Sequence, residues 1–313
     1  MSNRIAVVGS NMVDLITYVV RMPDRGETIE APRFEMGHGG KGANQAVAAA
    51  RLGSDVLMVS KVGDDVFGQD TIRNFERNGI DARHVGVVPG TSSGVAPIFV
   101  EPSGENSILI IKGANGHLLP ADVDAAAEDL LGCDLILMQL EVPLETVYHT
   151  IAFAAKHDKP VLLNPAPANR ELDLARLRHV AFFTPNRSEL ALLSGMPTDT
   201  TAEIEAASRK LLAAGIRTVI ATLGGDGVLL VADGGARHIP AVPVQPVDTT
   251  GAGDAFIGSF AHFYARSGDV AVALHWAVRY AALSVTRRGT QKSYVDAAAF
   301  REFCKTVPGG VPA

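Results

Sequence analysis

An aspartate closing a run of small residues is the feature of this sequence best suited to chemistry. In Val247-Asp248-Thr249-Thr250-Gly251-Ala252-Gly253-Asp254-Ala255-Phe256, glycines let the backbone turn sharply and expose successive N–H groups. A small-residue apolar segment follows at once. The first turn of a helix carries unpaired N–H donors and a positive dipole end, so this spacing offers a seat for a phosphate group. Asp254 stands where loop becomes helix. A carboxylate there can take a proton from a hydroxyl while the Gly251, Ala252 and Gly253 amides hold a phosphoryl group. Read on the residues alone, Asp254 serves equally as a capping acid on a tight glycine turn.

A second glycine cluster, Gly37-His38-Gly39-Gly40-Lys41-Gly42-Ala43-Asn44, contains a formal GxGxxG and a Gly-Lys pair. A Walker A loop needs Ser or Thr after its lysine, and here Gly42 follows. A dinucleotide fingerprint belongs directly after the first strand, and this cluster comes far beyond it. Glycines let a polyol approach the backbone, and Asn44 can donate and accept. The plainer alternative is a glycine turn into a helix with Lys41 solvated.

Acids recur at strand ends, where open parallel sheets bind ligands. Asp14 follows the first apolar run, and Glu141 follows another. Asn186 and Glu189 have the spacing of a capping box and equally of a phosphate and metal site. Thr222-Leu223-Gly224-Gly225-Asp226-Gly227 is either a plain hairpin turn or a nucleotide-binding one.

Taken together, these strings resemble the ribokinase-like carbohydrate kinase family. The D-T-x-G-A-G-D, G-G-K-G-A-N and N-x-x-E signatures occur in the family's order, and the match spans Gly9 to Ser293. The resemblance implies an ATP-dependent sugar kinase on an α/β three-layer sandwich, with a mostly parallel sheet and a small β-sheet lid. It implies Asp254 as catalytic base and Gly251, Ala252 and Gly253 as the anion hole. Asp14, Gly40, Lys41, Asn44 and Glu141 would bind sugar. Asn186, Gly253 and the 222–227 turn (Thr222, Leu223, Gly224, Gly225, Asp226, Gly227) would bind ATP. Glu189 would serve Mg²⁺ through water. Asp248, Thr250, Ser284, Arg287, Gly289 and Ser293 would hold an activating monovalent cation, usually K⁺.

Within the family the resemblance is greatest to the deoxyribokinase branch. Ribokinases carry Asn at the place of Met12. A thioether donates nothing and accepts weakly, so a ribose 2-hydroxyl facing Met12 would lose water without gaining a partner. The expected substrate is 2-deoxy-D-ribose, phosphorylated at O5, with residual activity on D-ribose. An apolar pocket rejects an added hydroxyl by only about a hundredfold. Ribose as the main substrate and a non-catalytic sensor on the same fold are the alternatives, and Met12 can equally be a flexible core filler.

The elements that must position these residues read as alternating strands and helices. Strands are expected at 5–8, 56–62, 135–140, 161–163, 182–184, 218–223 and 228–231. Helices are expected at 42–52, 67–78, 122–131, 143–157, 201–214, 252–267 and 270–285. This alternation predicts a mostly parallel sheet covered on both faces. Strand character at 28–34, 94–100 and 107–111 falls outside that rhythm and predicts a separate small sheet, with a turn at 102–105. The run 94–100 is apolar in both alternation registers, which predicts burial on two sides. The whole chain, 1–313, reads as one kinase domain with lid strands drawn from about 15–36 and 93–112, pairing as a dimer through that lid.

Bulk properties agree with that reading. The chain has 313 residues, 47% of them hydrophobic, and a net charge of −6 with no basic block, which disfavours nucleic acid. Two cysteines far apart give no disulfide or zinc framework and fit a reducing, cytoplasmic setting. No signal segment or membrane-spanning run is read, and the 308–312 tail is expected to fray.

Overall fold

The computed structural model describes residues 3–103, 105–308 and 310. Gly104 of the expected 102–105 turn, Gly309, Val311 and Pro312 of the expected frayed tail, and Met1 and Ser2 lie outside the described residues.

The strands are β1 (Arg4–Val8), β2 (Met12–Tyr18), β3 (Arg33–Gly39), β4 (Asp55–Gly63), β5 (Asp81–Val88), β6 (Val95–Val100), β7 (Asn106–Ile108), β8 (Leu135–Met138), β9 (Val161–Leu163), β10 (Val180–Phe183), β11 (Thr218–Thr222), β12 (Val228–Ala232) and β13 (Gly235–Ile239). The main sheet has nine strands in the order β13-β12-β11-β10-β9-β8-β1-β4-β5. All its pairs are parallel except β11 with β12 and β12 with β13.

Helices cover both faces, as continuous apolar strands require. Ile5 and Val7 of β1 feed one core, with Val47 of helix Lys41–Arg51 and Phe256 and Phe260 of helix Ala252–Ser267. Ala6 and Val8 feed the other, with Ile151 of helix Leu144–Lys156 and Leu211 of helix Thr201–Ala213. Each large aliphatic side chain so buried contributes about 1.5–3 kcal/mol. The order reverses at β1, since the chain proceeds to β4 on one side and β8 lies on the other. The carboxyl ends of β1 and β8 therefore flank a switch-point crevice.

The small sheet runs β3-β2-β6-β7. It differs from expectation in three ways. Strand β3 begins at Arg33 rather than residue 28, because Pro32 before it has no N–H to donate to a ladder. Strand β7 ends at Ile108 rather than residue 111. Leu109 N donates to the Pro97 carbonyl at 3.0 Å, but Pro97 cannot return the bond. Strand β6 is not buried on two sides; its residues are half-buried except Ala96. In addition, the expected helix over 122–131 is broken at Ala126 into Pro120–Ala125 and Ala127–Leu131. Strands β5 and β13 and helix Ala297–Thr306 had no counterpart in the sequence reading, and β2 begins at Met12, before the 15–36 range from which lid strands were expected.

Candidate active site

Helix Ala252–Ser267 begins at Gly251, which is left-handed at φ 76°, and no side chain caps it. Its contrast with other helices is informative. Asp65, Asn186, Thr200, Asp269 and Asp296 all cap their helices through side-chain oxygens. Here Ala252 N donates to the Thr249 carbonyl at 3.2 Å. The Gly251, Gly253 and Asp254 N–H groups have no acceptor among the described residues. Two of the three expected anion-hole donors are thus open, and the Asp254 amide joins them in place of Ala252.

Asp254 is not a capping acid. Its carboxylate is buried at 8% exposure and turned to helix Lys41–Arg51. Asn44 Nδ2 donates to Oδ2 at 2.9 Å, and Gln45 Nε2 donates to Oδ1 at 2.8 Å. The amide of Asn44, expected to meet a sugar hydroxyl, is engaged by the acid in this structure.

Helix Lys41–Arg51 starts at Gly40, whose φ is 84°. A Cβ there would meet the Asn11 and Met12 backbone at 2.6–2.7 Å, so only glycine lets the two segments close. Instead of a local cap, Glu141 reaches across from the end of β8. Its Oε2 accepts from Lys41 N at 2.9 Å and from Ser10 Oγ at 2.5 Å. Burial raises the Glu141 carboxyl, partly offset by Lys41 and the Ser10 bond. Asp14, on β2, is pushed up to about 7 by burial first, then by the Glu141 and Asp254 charges. Burial pulls the Lys41 ammonium down, but Asp254, Glu141 and Glu189 outweigh it and leave it raised. Met12 is buried at 3% and pairs with Gly39 across β2 and β3.

A cleft of about 820 Å³ runs from Lys41 and Asp254 past Gly251, Ala252 and Gly253 to Asn186, Glu189, Thr222, Gly224, Gly225 and Gly227. Met12, Asp14, Gly40, Asn44 and Glu141 do not line it; they stand at its Lys41 end through the contacts above. Asn186 and Glu189 form the capping box: Asn186 Oδ1 accepts from Glu189 N at 2.9 Å, and Glu189 Oε2 from Asn186 N at 2.8 Å. The other Glu189 oxygen takes no hydrogen bond among the described residues, and burial raises this carboxyl. Leu223 is buried in the core, and Asp226 pairs with Arg187 at 2.5 Å rather than lining the cleft. Pro243, Val244, Val278, Ala282 and Val285 give the far end an apolar wall that no motif announced.

The segments expected to hold a monovalent cation meet. Asp248 Oδ1 accepts from Thr250 N at 2.9 Å and Oδ2 from Gly289 N at 2.8 Å. These bonds outweigh burial and lower the Asp248 carboxyl. Val247 N also donates to the Val285 carbonyl at 2.7 Å, Arg287 N to the Ser284 carbonyl at 3.3 Å, and Ser293 Oγ to the Thr290 carbonyl at 2.8 Å. Among the described residues no three His, Cys, Asp or Glu side chains gather into a metal cage.

The arrangement is an anion seat, a buried carboxylate beside a lysine, and a long cleft with an apolar end. Comparison with known proteins places the chain that carries it. Residues 2–297 match the model of the pfkB family carbohydrate kinases. The deoxyribokinase of Salmonella typhi is 58% identical over 96% of this chain and 98% of its own length. The ribokinase of Bacillus subtilis is 42% identical over 92% and 94%. The structure of Arabidopsis thaliana ribokinase complexed with ribose and ATP superposes with a TM-score of 0.91, at 30% identity, over 97% of this chain and 99% of that one. With a family model matched over residues 2–297 and relatives of 58% and 42% identity along nearly the whole chain, the chain belongs to the PfkB family of carbohydrate kinases and is an ATP-dependent sugar kinase.

Proposed function

We propose that the enzyme transfers the γ-phosphoryl group of ATP to O5 of 2-deoxy-D-ribose, with weaker activity on D-ribose. The observation that carries the chemistry is Asp254, a buried carboxylate in the first turn of an uncapped helix and held by two amides. The observation that favours the deoxy sugar is Met12, which puts a thioether on β2, two residues before Asp14. The 58% identity to a deoxyribokinase supports the same choice.

In this reading the sugar 5-hydroxyl lies against Asp254, which accepts its proton as the oxygen attacks the γ-phosphorus. The bond to the β,γ-bridging oxygen breaks, and ADP leaves. The open N–H groups of Gly251 and Gly253 hold charge on the transferring group. Lys41, kept protonated by the surrounding acids, adds a positive charge at the same end. Asp14 and Glu141 orient sugar hydroxyls. The 222–227 turn and the apolar wall around Val285 receive the nucleotide. Such transfer is mostly placement and electrostatics.

Magnesium, when bound, would neutralise phosphate charge, and the Glu189 oxygen that takes no hydrogen bond would hold its water shell. The oxygen-rich meeting of Asp248, Thr250, Ser284, Arg287, Gly289 and Ser293 suits a potassium ion, whose effect would be to shape the neighbouring anion loop. The small sheet acts as a lid over the sugar, excluding water. Its exposed Phe34 and Met36 support its use as the face of a homodimer. No helix among the described residues is long and apolar enough to cross a membrane, and we place the enzyme in the cytoplasm.

The test is ADP release with 2-deoxyribose and with ribose, in potassium and in sodium buffer. Higher kcat/KM on 2-deoxyribose is expected. Equal or better use of ribose would leave a ribokinase, and no ADP release with either sugar would remove the pentose assignment.

A further inference from the structure

Both oxygens of Asp254 end chains of buried amides. On one side Gln139 Nε2 donates to Gln45 Oε1 at 2.6 Å, and Gln45 Nε2 donates to Asp254 Oδ1 at 2.8 Å. On the other, Asn74 Nδ2 donates to Gln291 Oε1 at 2.9 Å, Gln291 Nε2 to Asn44 Oδ1 at 3.0 Å, and Asn44 Nδ2 to Asp254 Oδ2 at 2.9 Å. All five amides are nearly removed from solvent, Gln45 and Gln139 completely.

The direction of each chain is forced. An ionised carboxylate only accepts, so the groups touching Asp254 must be NH₂ groups. That turns the Asn44 and Gln45 carbonyls away from it. Those carbonyls must then accept from Gln291 and Gln139, and the Gln291 carbonyl from Asn74. Reversing any amide would set two oxygens or two NH₂ groups face to face.

We propose that these two chains fix the orientation of the Asp254 carboxylate for phosphoryl transfer, which makes Gln45 and Gln291 positioning residues. The inference rests on the reading of Asp254 as the base. Two charge-assisted bonds on opposite oxygens hold the plane of a carboxylate that lines the cleft together with Lys41. The anchors come from four separate elements: helix Lys41–Arg51, helix Val66–Arg77, the end of β8 and the turn Gln291–Ser293. If burial alone were needed, apolar side chains of the same length would fill these positions without the cost of desolvating amides. The second chain also ties Asp254 to the 284–293 segment. A displacement of that segment is then felt at the base through one intervening amide, Asn44.

The experiment is a double-mutant cycle. Gln45→Met and Gln291→Met keep side-chain length and remove the donor. Each is made in the native chain and with Asp254→Asn, and ADP release and Tm are measured. We expect each to lower kcat about tenfold in the native background, the scale of one charge-assisted hydrogen bond, with KM for sugar and ATP within about twofold. With Asp254→Asn the same changes should cost nothing further. Equal losses in both backgrounds, or losses confined to KM, overturn the proposal and leave a packing role. If a methionine variant does not fold, Gln45→Glu preserves shape and should lose more in the native background and nothing beside Asp254→Asn. Full activity in Asp254→Asn alone would instead remove the base beneath the proposal, an outcome separate from additive losses.

Discussion

In β8 every side chain is buried, whereas in β7 every side chain is exposed. The same contrast runs through the two sheets. Main-sheet strands β1 and β8 are sealed by helices on both faces and lead into Ser10 and Glu141, which are bonded to each other, with Glu141 also holding the Lys41 amide. The small sheet leaves Phe34, Met36 and Ile108 at 50–56% exposure. Yet it carries Met12 and Asp14, the residues proposed to meet the sugar. Groups that must hold charge at fixed positions sit where packing leaves one arrangement. On the proposed function, the groups that would choose or cover the substrate sit on the element with fewer buried side chains. If the proposed function holds, rate should depend on the main sheet and selection on the small one, and each expectation can be broken.

The largest effect belongs to the main-sheet side. Asp254→Asn keeps shape but removes the proton acceptor, so kcat should fall about 10²-fold or more while KM for ATP changes little. A kcat within about threefold of the native value would end the assignment. Next comes selection. Met12→Asn restores donors and acceptors beside Asp14. It should shift the ratio of kcat/KM for ribose over 2-deoxyribose upward by about tenfold, within the range that one pocket group commands. An unchanged ratio in competition assays would place Met12 away from the sugar 2-position.

How much of this was legible in sequence follows the same division. Strands β1 and β8 read as continuous apolar runs because both faces are buried, and helix Ala252–Ser267 has the bounds its pattern predicts. Strand β2 was read only as part of the 15–36 lid range, because the charged Asp14 interrupts its apolar alternation. Strand β5, an edge strand, carries Arg83, His84 and Gly86, which mask its alternation. At the site, residues in compact motifs were visible: Asp254, Lys41, Asn186 and Glu189. Gln45, Gln139 and Gln291 were not. The Asn44–Gln291 bond joins residues 247 apart, and a lone glutamine has no spacing signature. The apolar wall that includes Pro243 and Val244 was invisible for a similar reason, since a run of Val and Pro announces no ligand.

The exposed face of the small sheet offers the third test. Phe34 and Met36 are two residues apart on β3 and so share a face. They are 56% and 55% exposed, an apolar surface expected to be covered by a second copy. Replacing both by serine should halve the mass measured by light scattering, with kcat on saturating sugar falling by no more than about threefold. A native monomer would refute the dimer and leave the chemistry untouched.

Asp14, at the seam between the sheets, carries the smallest effect. Burial, Glu141 and Asp254 push its carboxyl up to about 7, against ~3.9 for an exposed aspartate. Between those values the folded protein binds more protons than the unfolded chain. Stability from this group is therefore fully present below about pH 4 and lost as pH rises through about 7. Asn at this position does not titrate. The Tm of Asp14→Asn minus that of the native protein should thus climb between pH 5 and pH 8. After discounting for partial exposure, a climb of about 1 kcal/mol, or roughly 2 °C, is expected. Glu141→Gln should shrink that climb by removing one of the two charges responsible. A difference flat with pH would mean that the seam opens to water, and that the small sheet leaves Asp14 as solvated as the rest of its surface.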